Sequence, residues 1–103
     1  MTQKITQESV MQLISQIEHP EIARTLVQLG MIHSAEYNAE TKEVSVTLLF
    51  PVAEVPESVR NYIISSIYQA LQAQGLGLKV YLGVMDEQAR QKFMMQSQAY
   101  WKL

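Results

Sequence analysis

The chain has 103 residues, a formal net charge of −2 and no cysteine. This length suggests one domain, residues 1–103, because two halves would each be too small to bury a useful core. The charge gives no basic field for nucleic acid or an anionic membrane, and the missing thiols exclude disulfides and thiolate metal ligands. The first ten residues lack the apolar core of a signal peptide, and no apolar run approaches the ~20 residues of a membrane span, so we expect a cytoplasmic protein.

The first predicted element is an amphipathic helix over residues 7–18, with Thr6 placed to cap it. Its apolar residues recur at the helical spacing i, i+3, i+4, i+7 and are Val10, Leu13, Ile14 and Ile17. Pro20 ends this helix, because proline lacks a backbone N–H and disfavours α geometry at His19. Since proline suits the first position of a helix, we expect a short helical turn through residues 22–23.

Two strands joined by a hairpin follow, over residues 31–37 and 43–50. The polar residues 38–42 between them are few enough for a hairpin loop. The second strand has the clearer pattern, because every second side chain is apolar: Val44, Val46, Leu48 and Phe50.

The longest predicted helix covers residues 56–74, with Pro56 at its start and Gly75 as its C-terminal cap. One face carries the apolar residues Val59, Ile63, Ile67, Ala70 and Leu71. Ile64 and Tyr68 lie off that face, which indicates that the helix could be covered on a second side.

Residues 78–84 predict a third strand, because Leu78, Val80, Leu82 and Val84 alternate with other residues. Asp86 is placed to cap a last helix. The less polar side of that helix carries Ala89, Phe93, Met94, Ser97, Tyr100 and Trp101. The apolar end of this helix could dock on the domain's own sheet or could offer a partner-binding surface.

This element order, α-β-β-α-β-α, predicts an α+β fold, namely a two-layer α/β sandwich whose three-stranded sheet has its helices mainly on one face. The sequence leaves open whether strand three pairs with strand one or with strand two. We expect the inward face to carry Val44, Val46, Leu48 and Phe50 together with Leu78, Val80 and Leu82. The expected cover consists of Val10, Leu13, Ile14 and Ile17 from the first helix and Val59, Ile63, Ile67 and Leu71 from the second.

Both histidines, His19 and His33, could in principle bind a divalent metal with Glu18 and Glu21. However, the carboxylates flank a proline turn, and the histidines have no short ligand spacing. We therefore interpret His19 as part of a solvated turn and His33 as a strand-surface residue, and predict no metal site.

Two pairs of acidic residues could act as a general acid and base: Glu54 with Glu57, and Asp86 with Glu87. Both pairs lie where a helix is predicted to begin, and the helix macrodipole favours negative charge there. With no nucleophile nearby in sequence, we predict no catalytic residue. The turns at Gly30 and Gly75 lack the spacing of a phosphate-binding loop, and we interpret them as positions that need a positive φ.

Two short motifs resemble the small α/β domain of iron–sulfur cluster assembly factors. The first is the turn His19-Pro20-Glu21, and the second is Leu29-Gly30-Met31, which leads into the hairpin. The family includes SufT-like and PaaD-like proteins and the amino-terminal domain of Mrp/ApbC-type cluster carriers, and it has Asp-Pro-Glu and Leu-Gly-Met/Leu-Val in this order. The resemblance covers about residues 7–85.

The chain departs from that family at two places. His19 replaces the usual aspartate, and the Cys-Pro that many members carry after strand two is absent. The loop at that place consists of Phe50, Pro51, Val52, Ala53, Glu54, Val55 and Pro56. The segment Leu49-Phe50-Pro51 resembles the carrier domains, which also often lack the cysteine.

The resemblance thus implies a non-catalytic accessory or interaction module in iron–sulfur cluster assembly or metalloprotein maturation, without a cofactor of its own. It would dock on a cluster carrier or client protein through the loop of residues 50–56. Stiff, fairly apolar loops suit recognition. Alternatively, Val52 and Val55 could tuck under the second helix, and residues 93–101 could be the docking surface.

Two further functions stay open. A small-ligand binder or cofactor-free enzyme could use Glu21, His19 or Glu54, although no convergent polar set is visible in the sequence. The chain could also be a purely structural subunit of a larger complex. Neither the partner nor the oligomeric state follows from the sequence.

Overall fold

A computed structural model describes residues 5–102 and confirms the predicted α+β fold and its element order. The elements are α1 (Gln7–Ser15), β1 (Ile32–Asn38), β2 (Glu43–Phe50), α2 (Glu57–Gln72), β3 (Gly77–Val84) and α3 (Glu87–Tyr100). Within this described range, none of the helices combines the length and the apolar character needed to traverse a bilayer.

Helix α1 begins as predicted and ends earlier than predicted. The Thr6 side chain accepts a hydrogen bond from the Ser9 N–H (3.1 Å), and the Ser9 hydroxyl accepts one from the Thr6 N–H (2.8 Å), so the cap is reciprocal. At the other end the carbonyl of Ile17 accepts the Leu26 N–H at 2.8 Å. The helix ends at Ser15 with a tighter last turn, in which the N–H groups of Gln16 and Ile17 donate to the carbonyls of Leu13 and Ile14.

The helical turn expected at residues 22–23 is wrong. Ile22 instead forms an isolated antiparallel bridge with Trp101, near the other end of the chain. Pro20 is compatible with either geometry, since it fixes φ only at its own position. Pairing with a distant segment decided the outcome, and the sequence around Pro20 contains no sign of it.

Strand β2 is the centre of the sheet and answers the open question of strand pairing. It is antiparallel to β1 on one side and parallel to β3 on the other, in the order β1-β2-β3. The register places Leu78, Val80 and Leu82 beside Val44, Val46 and Leu48, so these side chains share one face, as predicted.

Helices α1 and α2 cover that face, which forms the core. The β2 side chains Val44, Val46 and Leu48 are fully buried and Phe50 nearly so. The covering side chains that are themselves fully buried are Val10, Ile14, Ile63, Ile67 and Leu71. Leu13, Ile17 and Val59 are half-buried against the core.

The layer of helices ends partway along β3, so the prediction that Leu82 is part of the covered face is wrong. Leu78 and Val80 are half-buried against the core, but Leu82 is 51% exposed and Val84 is 53% exposed. Leu82 therefore lies on the predicted face without being part of the core. The helices reach the first half of this edge strand and leave its second half bare.

The opposite face of the sheet is more polar. The Ser34 hydroxyl donates to the Thr47 hydroxyl at 3.2 Å, and Tyr81 is 57% exposed. Gly83 makes room there for Leu49, because a Cβ at position 83 would lie 2.9 Å from the Leu49 Cδ2. This arrangement agrees with a sheet whose helices lie mainly on one face.

Helix α3 begins where Asp86 accepts a hydrogen bond from the Ala89 N–H at 2.8 Å, which confirms the predicted cap. It packs on the segment between α1 and β1. The Gln96 side-chain amide donates to the carbonyl of Gln28 at 2.9 Å, and Phe93 is buried.

Replacing Leu48 with alanine should lower the free energy of unfolding by about 2–5 kcal/mol, because lost transfer energy and a residual cavity add together. Chemical denaturation measures this. Leu82→Ala, at the neighbouring register position, is the matched control. Since Leu82 is half exposed, that change should cost about 1 kcal/mol or less. Equal costs at the two positions would contradict the assignment of the covered part of the sheet.

Candidate functional site

The turn His19-Pro20-Glu21 forms the tip of a short antiparallel loop after α1. The His19 N–H donates to the carbonyl of Arg24 at 3.0 Å, and the Leu26 N–H donates to the carbonyl of Ile17 at 2.8 Å. These backbone bonds on the two arms of the loop fix where the turn stands.

The end of α3 lies beside this turn. The carbonyl of Tyr100 accepts the Ala23 N–H at 2.7 Å, and the carbonyl of Glu21 accepts the Lys102 N–H at 2.9 Å. Trp101, between these two bonds, is 48% exposed. The apolar end of α3 therefore docks on its own domain, but it docks on the loop around the turn, not on the sheet.

His19 is buried, so the expectation of a solvated turn is wrong at this position. The residue is 6% exposed, and its ring meets that of Phe93 edge-on with 6.3 Å between centroids. Its Nδ1 accepts a hydrogen bond from the Glu21 N–H at 3.0 Å, which places the proton of the neutral ring on Nε2. Burial lowers the pKa of His19; the Glu21 charge opposes this shift and the Lys102 charge reinforces it.

This Nδ1 bond gives His19 a role that an aspartate side chain often has in turns. An Asp side chain commonly accepts a hydrogen bond from the backbone N–H two residues on. Neutral His19 makes the same bond to Glu21. The difference is the pH at which the acceptor is lost by protonation: about pH 4 for a free carboxylate and about pH 6.5 for a free imidazole.

The loop of residues 50–56 divides into an anchored part and an exposed part. Val55 is half-buried against the core, whereas Val52 is 44% exposed. Ala53 and Glu54 are also exposed. Of the two roles considered for this loop, packing inward applies to Val55, and Val52 is left available at the surface.

The turn, this loop and α3 together line one groove of about 330 Å³, named here the His19 groove. Three of its lining residues belong to the two predicted motifs, namely His19, Glu21 and Met31. Six more belong to the predicted loop: Phe50, Pro51, Val52, Glu54, Val55 and Pro56. Two stretches that are separated by about thirty residues in the sequence thus form one surface.

Other predicted residues lie elsewhere. Leu29 is buried in the core, and Gly30 adopts a φ of +75°, which confirms its interpretation as a turn glycine. Pro20 and Ala53 do not line the groove. His33 is exposed on β1, as expected for a strand-surface residue.

Some groove residues were not assigned to this site from the sequence. These are Ile22, Val59, Phe93, Ser97 and Trp101. The less polar side of α3 was a visible signal, but it indicated a separate partner surface. In the structure residues 93–101 instead contribute to the same groove as the loop.

The acidic residues considered for catalysis lie in two different places, at helix starts and in the His19 groove. Glu57 pairs with Arg60 at 3.4 Å and Glu87 pairs with Arg90, so both act at helix starts. Glu54 instead lines the His19 groove with His19 and Glu21. Across residues 5–102, no three His, Asp or Glu side chains come close enough to share a metal ion.

Neither a family model nor any curated protein matches this chain. The similarity to iron–sulfur cluster assembly factors therefore depends on the two motifs and the element order, and it stays a prediction.

The buried neutral His19 should make stability depend on pH. Because the folded-state pKa lies below the unfolded value of about 6.5, the unfolded chain binds the extra proton first, and stability falls as pH drops from about 7.5 through the folded pKa. Thermal melts between about pH 7.5 and 5 measure this loss. His19→Asn keeps an acceptor for the Glu21 N–H but cannot titrate, so it should flatten the profile.

His33→Asn is the matched control, since His33 is exposed. Its pH profile should follow that of the unmodified chain. If His19→Asn retained the full loss of stability at low pH, the loss would have to come from other groups.

Proposed function

We propose that this chain is a non-catalytic interaction module that docks on another protein in iron–sulfur cluster assembly or metalloprotein maturation, in the cytoplasm. The observation that carries the proposal is the His19 groove. Its wall combines His19 and Glu21 of the turn that resembles the family's motif with the loop of residues 50–56, which stands where many family members carry a cysteine that this chain lacks.

The groove has the physical properties of a docking surface. Its wall is mainly apolar, and Val52 and Trp101 are about half exposed on it, so covering them gives favourable burial. Exposed tryptophan is enriched among residues that dominate binding energy. Pro51 and Pro56 restrict the loop, so less conformational entropy is lost when it is covered.

His19 adds a polar contact to this apolar wall. With Nδ1 engaged by the Glu21 N–H, the neutral ring keeps an Nε2–H donor. A partner's backbone carbonyl is a suitable acceptor, and burying such a pair together avoids the cost of an unpaired polar group.

A cluster carrier or a client protein is the partner class we propose. Iron–sulfur clusters are held chiefly by cysteine thiolates, and this chain has none. The cluster would therefore stay on the partner as cargo, and this chain would contribute contact and orientation.

The double variant Val52→Asp with Ala53→Arg tests the docking surface. Both residues are exposed, so the melting temperature should change by a few degrees at most. The probe is a purified Mrp/ApbC-type carrier ATPase from the same genome, captured on the tagged chain. The charge at position 52, which lines the groove, should abolish capture, because it would be buried without a partner.

Met94→Asp with Met95→Arg is a matched control on α3. Both methionines are exposed and neither lines the groove, so capture should be unchanged. Undiminished capture by the Val52/Ala53 variant would place the docking surface elsewhere, and unfolding of that variant would show that the loop is structural.

A second prediction concerns the cluster itself. Anaerobic reconstitution of the isolated chain with iron and sulfide, without added thiol ligands, should yield no cluster that survives gel filtration. Absorption spectra and iron counting measure this. A stoichiometric cluster retained on the chain would contradict the proposal that the partner holds the cluster.

A small-ligand binder is the second candidate, and one observation favours it. His19, Glu21 and Glu54 line the same groove, whose volume is at the lower end of the range for ligand pockets. Saturable shifts of the His19 and Trp101 NMR signals with a small molecule, and no capture of any carrier, would favour this function.

A further inference from the structure

We propose that two copies of this chain associate through the outer edges of their β3 strands, with the strands antiparallel about a two-fold axis at Tyr81. The surface involved adjoins the loop of residues 50–56, since Leu82 and Val84 share a depression with Val52 and Ala53, but the proposal does not rest on the proposed function. It follows from the exposed backbone and side chains of β3 and from the flank of α2.

The outer edge of β3 carries unpaired backbone groups. The Gly77 N–H donates to the carbonyl of Lys42 at 2.9 Å, and the Met85 N–H donates to the carbonyl of Phe50 at 2.8 Å. Because backbone direction alternates along a strand, the odd-numbered residues of β3 bond to β2. The even-numbered residues Leu78, Val80, Leu82 and Val84 therefore direct N–H and C=O outward, where no strand among residues 5–102 pairs with them.

Within residues 5–102, this edge lacks the usual protections against pairing. Native proteins shield edge strands with proline, bulges, charges or covering segments. β3 has no proline, its register with β2 is regular over all eight residues, and its one charged side chain is Lys79. Tyr81, Leu82 and Val84 are each more than half exposed.

A register centred on Tyr81 gives every exposed residue a partner. Leu82 then stands opposite Val80 of the second copy, and Val84 opposite Leu78. These are the residues with outward backbone groups, so each pair exchanges two N–H···O bonds. On the polar face, Tyr81 forms an aromatic pair with Tyr81 of the second copy, and Lys79 stands opposite Gly83 of that copy.

The flank of α2 continues this surface on the helix side of the sheet. A depression between α2 and β3 is lined by Asn61, Ile64, Ser65, Tyr68, Leu78 and Val80. Ile64 and Tyr68 are the residues that lie off the core face of α2. A two-fold axis perpendicular to the sheet puts both α2 helices on the same side of the joined sheet, where their flanks can pack against each other.

Charge selects a second copy over a charged partner. No residue in the depression carries a formal charge, and Lys79 is already paired with Glu43 at 3.9 Å. Arg60 lies beside Leu82 and Val84 and is paired with Glu57 at 3.4 Å. Two identical copies can therefore meet without burying an unpaired charge or opposing like charges. The depression offers no charged side chain that could pair with a strongly basic or acidic partner.

The area indicates a weak association. A strand of eight residues is about 27 Å long, and with the α2 flank the strip is about 15 Å wide, so the flat contact is about 400 Å² per copy. Specific interfaces bury about 800 Å² of accessible surface per partner, so this strip is smaller than a standard interface. We expect a dimer that dissociates in the micromolar range.

Sedimentation of the full chain across about 5–500 µM tests the association, and amide exchange by NMR tests the surface. The expected result is a reversible dimer in which the N–H groups of Leu78, Val80, Leu82 and Val84 gain protection as concentration rises. Those of Lys79, Tyr81 and Gly83 should be protected at every concentration, because they bond to β2 within one copy.

Leu82→Lys should weaken the dimer at least tenfold, because the ammonium would face Val80 of the second copy. Met95→Lys is the matched control, with the same change of charge at a residue of α3 that is 71% exposed, and it should leave the dimer unchanged. A monomer at all concentrations, a dimer without the alternating protection, growth beyond two copies, or a dimer indifferent to Leu82→Lys would each overturn the proposal.

Discussion

Hydrogen bonding of β2 on both of its edges is the constraint on which the rest of the molecule depends. Its backbone holds β1 antiparallel and β3 parallel, and its alternate side chains form the middle of the core. A parallel neighbour requires a crossover, and α2 supplies it while covering the sheet. Because β2 is central, the loop after it emerges at the end of the sheet, where α3 and the segment after α1 also meet.

The limited width of the helical layer explains both surfaces for which we propose partners. Helices α1 and α2 cover β2 fully but reach only Leu78 and Val80 on β3. Beyond them Leu82 and Val84 stay about half exposed, beside the loop of residues 50–56. A small domain has too few helices to close every edge, and the uncovered parts are where other chains can add burial.

His19 shows how one buried side chain can both hold a turn and fill space. Its Nδ1 accepts a hydrogen bond from the Glu21 N–H, which holds the turn. The ring also fills space against Phe93, which a carboxylate could not do with the same apolar contact. The consequence is a buried group that accepts this hydrogen bond only while it is neutral, and burial lowers its pKa.

The sequence by itself determined the elements whose signal is local. Periodicity in β2, the cap at Thr6, the cap at Asp86 and the glycines at positions 30 and 75 all predict structure through neighbours within a few residues. Tertiary structure decided what depends on distant contacts. Ile22 pairs with Trp101, His19 is buried by Phe93, and Leu82 stays bare because α2 does not reach it. No local pattern encodes such contacts, because their energy comes from segments that only the folded chain brings together.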